Sequence, residues 1–196
     1  LKVLIVKSAN DVAVMIAETV GGGSEEAFVA KMNEAAQRLG MTRTSFANVN
    51  GLPDERQVTT ARDLAKLARA IIVEFPEHAD LFTTIQVQVG KQLVRTHNGL
   101  LVNYPGADGM KTGFICDSGF NVVASATRDG RKLVAVVLGE PSVASRRERT
   151  VDLLDNGFKR YFWKSLFGTS IDGLAIQASL STGPTHLRDS VCGVAR

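Results

Sequence analysis

The sequence predicts an α+β fold, helical in its first half, with an antiparallel sheet and one last helix in its second. Three observations carry this expectation. Residues 12–20, 28–39 and 64–72 place apolar side chains at helical spacing between polar caps and glycines. Residues 120–127 and 132–138 are rich in β-branched side chains and meet at Arg128-Asp129-Gly130-Arg131, where Asp-Gly is a strong hairpin signal. Residues 145–162 return to helical spacing, with Val151, Leu154, Phe158 and Tyr161 on one stripe.

Taken in order, residues 1–7 read as a buried strand or as the end of a buried helix. The chain opens inside this apolar stretch without a Met or a charged leader, which reads as an N-terminally incomplete chain. Ser8-Ala9-Asn10-Asp11 precedes the first periodic helix, and residues of these types usually cap. Gly21-Gly22-Gly23 ends that helix. Ser24 caps the next, with Glu25 and Glu26 in its first turn, where the helix dipole favours acids. Its stripe of Phe28, Met32, Ala35, Ala36 and Leu39 belongs to the core, and Gly40 stops it. Residues 41–58 are loop-like, with Asn50-Gly51 and Pro53 as turn residues. Thr60-Ala61-Arg62-Asp63 resembles a capping box in front of a helix that runs out near Phe75-Pro76. Ile85 to Val89 alternates like a strand, Gly90-Lys91 is a turn, and Asn98 before Gly99 reads as another.

Composition narrows the function classes. The chain has 196 residues, 44% hydrophobic and 22% charged, which suits one ordinary globular domain plus extras. A net charge of +3 with no long basic run gives no argument for nucleic acid. Cys116 and Cys192 have no metal spacing and could pair or stay free. His78, His97 and His186 are far apart in sequence, and nothing points to a metal or another cofactor.

The chemistry concentrates in Pro105-Gly106-Ala107-Asp108-Gly109-Met110-Lys111-Thr112-Gly113-Phe114. On a strand facing a cleft, Lys111 supplies a fixed cation and Thr112 a hydroxyl donor. Gly113 removes a side chain so that a ligand can approach the backbone. Together they suit an anionic ligand lying extended along a strand edge. The bland alternative is a turn followed by a surface strand.

The order of elements resembles the D-alanyl-D-alanine carboxypeptidases, the low-molecular-mass penicillin-binding proteins related to class A β-lactamases. That superfamily carries Ser-x-x-Lys, then Ser-x-Asn, then Lys-Thr-Gly. Ser8-Ala9-Asn10 matches the second motif and Lys111-Thr112-Gly113 the third, in the right order. Between them lie family-like stretches at Leu39-Gly40-Met41, Asn50-Gly51-Leu52-Pro53, Ala61-Arg62-Asp63-Leu64 and His97-Asn98-Gly99-Leu100-Leu101. The resemblance covers roughly residues 1–162 and implies a β-lactamase/transpeptidase-like arrangement. In it the strands pack between the last helix and an earlier helical lobe, with the site between lobe and sheet edge.

The resemblance also implies roles. A serine attacks the carbonyl between two terminal D-alanines of a peptidoglycan stem, and water hydrolyses the acyl-enzyme. Ser8 would relay the proton to the leaving D-alanine, and Asn10 would orient that network and the substrate amide. Lys111 would hold positive potential toward Ser8 and the terminal carboxylate, and Thr112 would donate to that carboxylate. The Phe114 N–H would be one oxyanion donor. Arg146 matches the family's arginine that reinforces the carboxylate site; its bland reading is a solvated helix end. The implied ligands are peptidoglycan pentapeptides ending in D-Ala-D-Ala, with β-lactams as inhibitors. The implied location is the periplasm or cell surface, with membrane attachment left open.

Two departures stand out. No Ser-x-x-Lys occurs in the sequence; Ser165, for instance, is followed by Gly168 where a lysine would be needed. The first expectation is therefore a serine-type carboxypeptidase whose nucleophile motif is absent from residues 1–196, so that this stretch alone is inactive. The alternative is a non-catalytic relative that binds peptidoglycan or a partner. The second departure is Phe114-Ile115-Cys116, which replaces the more usual Tyr/His-Thr pair. Residues 1–167 are expected to form the incomplete catalytic domain. Residues 168–196 are expected to be a loose tail or the start of a further region.

Overall fold

The computed structural model describes residues 1–167, 171 and 184–193. The opening apolar stretch is a short helix, α1 (Lys2–Lys7), rather than a strand. A left-handed residue, Ser8, turns the chain into α2 (Asn10–Gly21). The expected capping by Ser8, Asn10 or Asp11 does not occur: Ala9 occupies the cap position, and Asp11, inside the first turn, accepts from the adjacent Val12 N–H at 2.9 Å. By contrast Ser24 caps α3 (Glu25–Arg38), its hydroxyl accepting from the Ala27 N–H, with Glu25 and Glu26 in the first turn as expected. The α3 stripe is only partly core: Ala36 is buried, while Phe28, Met32, Ala35 and Leu39 stay half-exposed.

Thr60 caps α4 (Ala61–Glu74) by accepting from the Asp63 N–H. Asp63 itself is 2% exposed and does more than close that helix. Its Oδ2 accepts from the Arg43 N–H at 2.9 Å and the Thr44 hydroxyl at 2.8 Å, so one carboxylate orders the loop that precedes the helix. After a 3-10 turn at Pro76–His78 come α5 (Ala79–Thr83) and a hairpin of β1 (Gln86–Val89) and β2 (Gln92–Arg95). A single-turn helix, α6 (Leu100–Asn103), leads to the main sheet.

That sheet has three antiparallel strands in the order β3 (Ala107–Ile115), β4 (Gly119–Arg128), β5 (Arg131–Glu140). The β4–β5 hairpin turns at Asp129-Gly130, both at positive φ, as the Asp-Gly signal requires. Helix α7 (Val143–Phe167) packs Leu154 against Val122, Ala124, Ala126, Ala135 and Val137, with Leu100 and Tyr104 closing the cluster. Small alanines on the strands let the helix approach closely. Helices α4 and α5 pack toward the opposite face of the sheet. There an apolar pocket of about 320 Å³ lies between Leu64, Leu67 and Ile71 on one side and Val123 and Leu138 on the other. Val3, Ile5 and Val136 are half-exposed.

The last described segment, residues 184–193, carries α8 (Arg188–Val191) and is joined to the sheet by a disulfide between Cys116 and Cys192. Part of the expected tail is thus tied to the β3–β4 turn, and the cysteine question resolves as a pair. Among the described residues no helix is long and apolar enough to cross a membrane.

The Asp63 arrangement generates a stability expectation. Asp63→Ala removes the acceptor of the Arg43 N–H and one of the two partners of the Thr44 hydroxyl among the described residues, which should cost about 1–2 kcal/mol. Urea unfolding should show a lower midpoint with an unchanged slope. An unmoved midpoint would mean that water replaces the carboxylate without loss.

Candidate active site

Two residues separated by 103 positions meet at the junction of helices and sheet: the Lys111 ammonium donates to the Ser8 hydroxyl. Each reaches the contact for a local reason. Ser8 sits between α1 and α2 with φ 55° and ψ 46°, the left-handed region that L-residues other than glycine rarely adopt. Its N–H is satisfied by the Leu4 carbonyl at 3.0 Å, closing α1 and leaving the hydroxyl free to face the strand. Lys111 lies in mid-β3, paired with Val123 of β4. Its ammonium also donates to the Thr112 carbonyl at 2.6 Å, so two oxygens hold it.

The surroundings are cationic. Burial lowers the Lys111 pKa from its ordinary 10.5, and Arg146 nearby lowers it further. Arg146 begins the second turn of α7 yet is 8% exposed, which overturns the picture of a solvated helix end. Its Nη1 donates to the Asn121 carbonyl at 3.3 Å, its guanidinium lies 6.0 Å from the Phe120 ring centroid, and burial lowers its pKa. His97, 11 residues before Asp108, feels the same field: burial lowers its pKa first, and Lys7, Lys111 and Arg146 add to the effect. Among the described residues neither Lys111 nor Arg146 has a carboxylate within ion-pair distance. An unbalanced positive cleft of this kind attracts an anion.

The strand presents the edge that such an anion needs. β3 pairs only with β4 among the described residues, so its other edge is open to an extended ligand. Gly113 is exposed, and a Cβ built on it would meet nothing within 4 Å. Thr112 is half-buried and pairs with Val122. Phe114 is 47% exposed and stacks on its cross-strand partner Phe120 at 4.2 Å between centroids. Asn10 stands apart: it is exposed at the first position of α2, and its side chain makes no hydrogen bond among the described residues.

Several supports went unread in the sequence. Asn98, expected as a turn residue, is 3% exposed; its Nδ2 donates to the Gly109 carbonyl at 3.3 Å and its Oδ1 accepts from the Leu100 N–H. Asp108 accepts from Ser125, Thr127 and Lys132, each at 2.6 Å. Burial acts to raise its pKa, yet the bonds from Lys132, Ser125 and Thr127 outweigh that and hold it below the usual range. Asn121 accepts from the Gly139 N–H at 2.9 Å and donates to Ser118 and the Gly119 carbonyl, bracing the far end of the sheet. Asn98 sits before a glycine in the sequence, the one signal that pointed to backbone bonding, and there it was indistinguishable from a turn; Asn121, between Phe120 and Val122, carries no such signal.

Residues 1–142 match the profile of the Peptidase S11 family, D-alanyl-D-alanine carboxypeptidase. The chain is similar to the D-alanyl-D-alanine carboxypeptidase DacC of Escherichia coli (strain K12), with 38% identity over 159 residues, 81% of this chain and 40% of that relative. Penicillin binding protein 5 from Haemophilus influenzae is similar in structure, with a TM-score of 0.77 at 36% identity over 81% of this chain and 46% of that one. Penicillin-Binding Protein D2 from Listeria monocytogenes in its ampicillin-bound form gives 0.74 at 30% identity over 80% of this chain and 65% of that one. The chain therefore spans about 40% of the length of the curated relatives it matches. An antiparallel sheet flanked by helices, the Ser8 of a Ser-x-Asn bonded to the Lys111 of a Lys-Thr-Gly, and a profile match over most of its length agree: this chain belongs to the D-alanyl-D-alanine carboxypeptidase family, Peptidase S11.

Proposed function

We propose that the protein to which these residues belong is a serine-type D-Ala-D-Ala carboxypeptidase acting on peptidoglycan stem peptides at the periplasmic or outer cell surface. The observation that carries this reading is the Lys111 ammonium bonded to the Ser8 hydroxyl in a cleft rich in cations. A terminal carboxylate entering along β3 meets the Lys111 and Arg146 field and the Thr112 hydroxyl. The open space over Gly113 lets the peptide backbone pair with the strand edge. Expulsion of the last D-alanine needs a proton at its amine, and the Ser8 hydroxyl, polarised by Lys111, is placed to pass one. The Phe114 N–H is one donor to the oxyanion, a contribution of about 3 kcal/mol. Asn10 orients the substrate amide, a contact its free amide can make only with the ligand present.

The nucleophile is the remaining requirement. Residues 1–196 hold no Ser-x-x-Lys, so acyl transfer needs one supplied from outside this stretch. The 196-residue polypeptide by itself should form no adduct with a fluorescent penicillin. A hydroxylamine-sensitive labelled band would show that a serine within it serves as nucleophile.

In a protein that contains this chain and a Ser-x-x-Lys, Lys111→Ala should lower D-alanine release by about 10²–10⁴-fold. The thermal midpoint should move little, because among the described residues Lys111 bonds only to Ser8 and to its neighbour's carbonyl. Near-normal release would remove Lys111 from the mechanism, and release unaffected by Ser8→Ala as well would leave only the non-catalytic reading.

The lowered pKa of Lys111 has a thermodynamic counterpart. In the unfolded chain the amine binds its proton more tightly than in the fold, so its burial destabilises the charged form. That penalty is full below the folded pKa and shrinks as pH rises toward the ordinary 10.5. Lys111→Met should therefore stabilise the protein at neutral pH, and the gap to wild type should narrow across the alkaline range. A gap independent of pH would assign the effect to packing instead.

A further inference from the structure

Residues 184–193 are fastened to the β3–β4 turn by three kinds of contact. Cys192 is disulfide-bonded to Cys116. Arg188 forks onto Asp117, Nε to Oδ1 at 3.0 Å and Nη2 to Oδ2 at 2.7 Å. The Leu187 N–H donates to the Asp117 carbonyl at 2.9 Å. The Leu187 side chain then lies over Gly139, where an added Cβ would come within 3.2 Å of its Cδ1. Leu187, Arg188 and Cys192 lie beyond the family match, which ends at residue 142, whereas their partners Cys116, Asp117 and Gly139 lie within it.

What the strap grips is the end of the ligand strand. Cys116 and Asp117 follow Phe114 by two and three residues, and the turn they form returns at once into Phe120, the partner on which Phe114 stacks. Gly139 under Leu187 donates to Asn121, whose carbonyl in turn receives Arg146. The strap thus contacts Cys116 and Asp117, in the turn between the stacked Phe114 and Phe120, and Gly139, the donor to Asn121, so it adjoins both routes that fix the carboxylate end of the cleft. It touches neither Ser8 nor Lys111.

We propose that residues 187–192 are positioning residues for the substrate strand, and that the Cys116–Cys192 bridge makes this positioning redox-dependent. The inference rests on the reading of β3 as the strand that holds the peptide. Without the bridge, the remaining anchors among the described residues are an exposed ion pair, which salt screens, a single backbone bond and the Leu187 side chain over Gly139. Cys192 is exposed and Cys116 half-buried, so an external dithiol can reach the bridge. Its first thiolate attacks the Cys192 sulfur and releases Cys116 as a thiolate. Its second displaces Cys192 from the mixed disulfide. Two electrons and two protons pass to the protein as two thiols, and the dithiol leaves as its own disulfide.

The test uses the full-length protein, a tripeptide ending in D-Ala-D-Ala, and dithiothreitol. Reduction should raise KM about threefold to tenfold, leave kcat within about twofold and leave the pH profile unchanged, because the strand end shifts while the Ser8–Lys111 contact stays. Mere loss of folded protein would lower kcat and leave KM alone, and that outcome overturns the proposal. A Cys116→Ser/Cys192→Ser protein should show the raised KM from the start and no response to dithiothreitol. A further rise in KM on reducing it would place the effect at another site and also overturn the proposal. If the double variant does not fold, titration of the wild-type protein with dithiothreitol decides alone, free-thiol content being followed beside KM. The two readings fail differently: no D-alanine release in either redox state rejects the carboxypeptidase, whereas equal KM in both states rejects only the strap.

Discussion

A single charge-assisted hydrogen bond, from the Lys111 ammonium to the Ser8 hydroxyl, sets the terms for the rest of the molecule. For that bond to exist, the α1–α2 junction must turn through a left-handed serine, a backbone state that costs about 1–2 kcal/mol. The β3 strand must in turn present its lysine toward the helices rather than to water. Burial penalises the ammonium, and Arg146 repels it. Neither feature stabilises the fold. Backbone strain and a half-buried cation at one point mark a place shaped by chemistry rather than by packing.

The unbalanced charge has the same logic. A buried arginine is ordinarily retained with a carboxylate partner, since an unpaired buried cation is costly. Arg146 has instead a carbonyl and the face of Phe120, and Lys111 has a hydroxyl and a carbonyl. Carboxylates on the sheet and α7 are committed elsewhere: Asp108 to Lys132, Asp155 to Arg128 and Glu140 to Arg149. The field in the cleft is therefore left for a ligand to neutralise, and a peptide ending in a free carboxylate fits it better than a neutral one.

Much of the framework was legible in the sequence because its signals are local. Ser24 and Thr60 cap helices through contacts three residues away, and Asp129-Gly130 turns a hairpin by backbone preference alone. The two short motifs could be recognised, and their convergence was implied by family likeness. Nothing in residue spacing joins position 8 to position 111. What stayed hidden depends on distance in space. Asn98 resembles any asparagine before a glycine until its amide is found on the Gly109 carbonyl. Arg146 resembles its solvated neighbours Arg147 and Arg149 until the register of α7 turns it inward. Cys116 and Cys192, 76 residues apart, offer no pairing rule without the fold that brings them together.

The two faces of the sheet explain why the site lies where it does. Against α7 the strands present Val122, Ala124, Ala126, Ala135 and Val137, and Leu154 fills the gap to leave a closed apolar layer. A polar group there would lose its water without recompense. The opposite face keeps an open apolar pocket of about 320 Å³, and Lys111, Thr112 and Gly113 form part of its wall beside α4. A lysine at that boundary can lay its apolar stem along the pocket wall while its ammonium reaches the Ser8 hydroxyl. Low dielectric on one side strengthens the field that the ammonium casts into the cleft on the other. Burial of Lys111 beside this face, with Arg146 nearby, lowers its pKa, and the open side of the pocket leaves the ammonium room to reach Ser8.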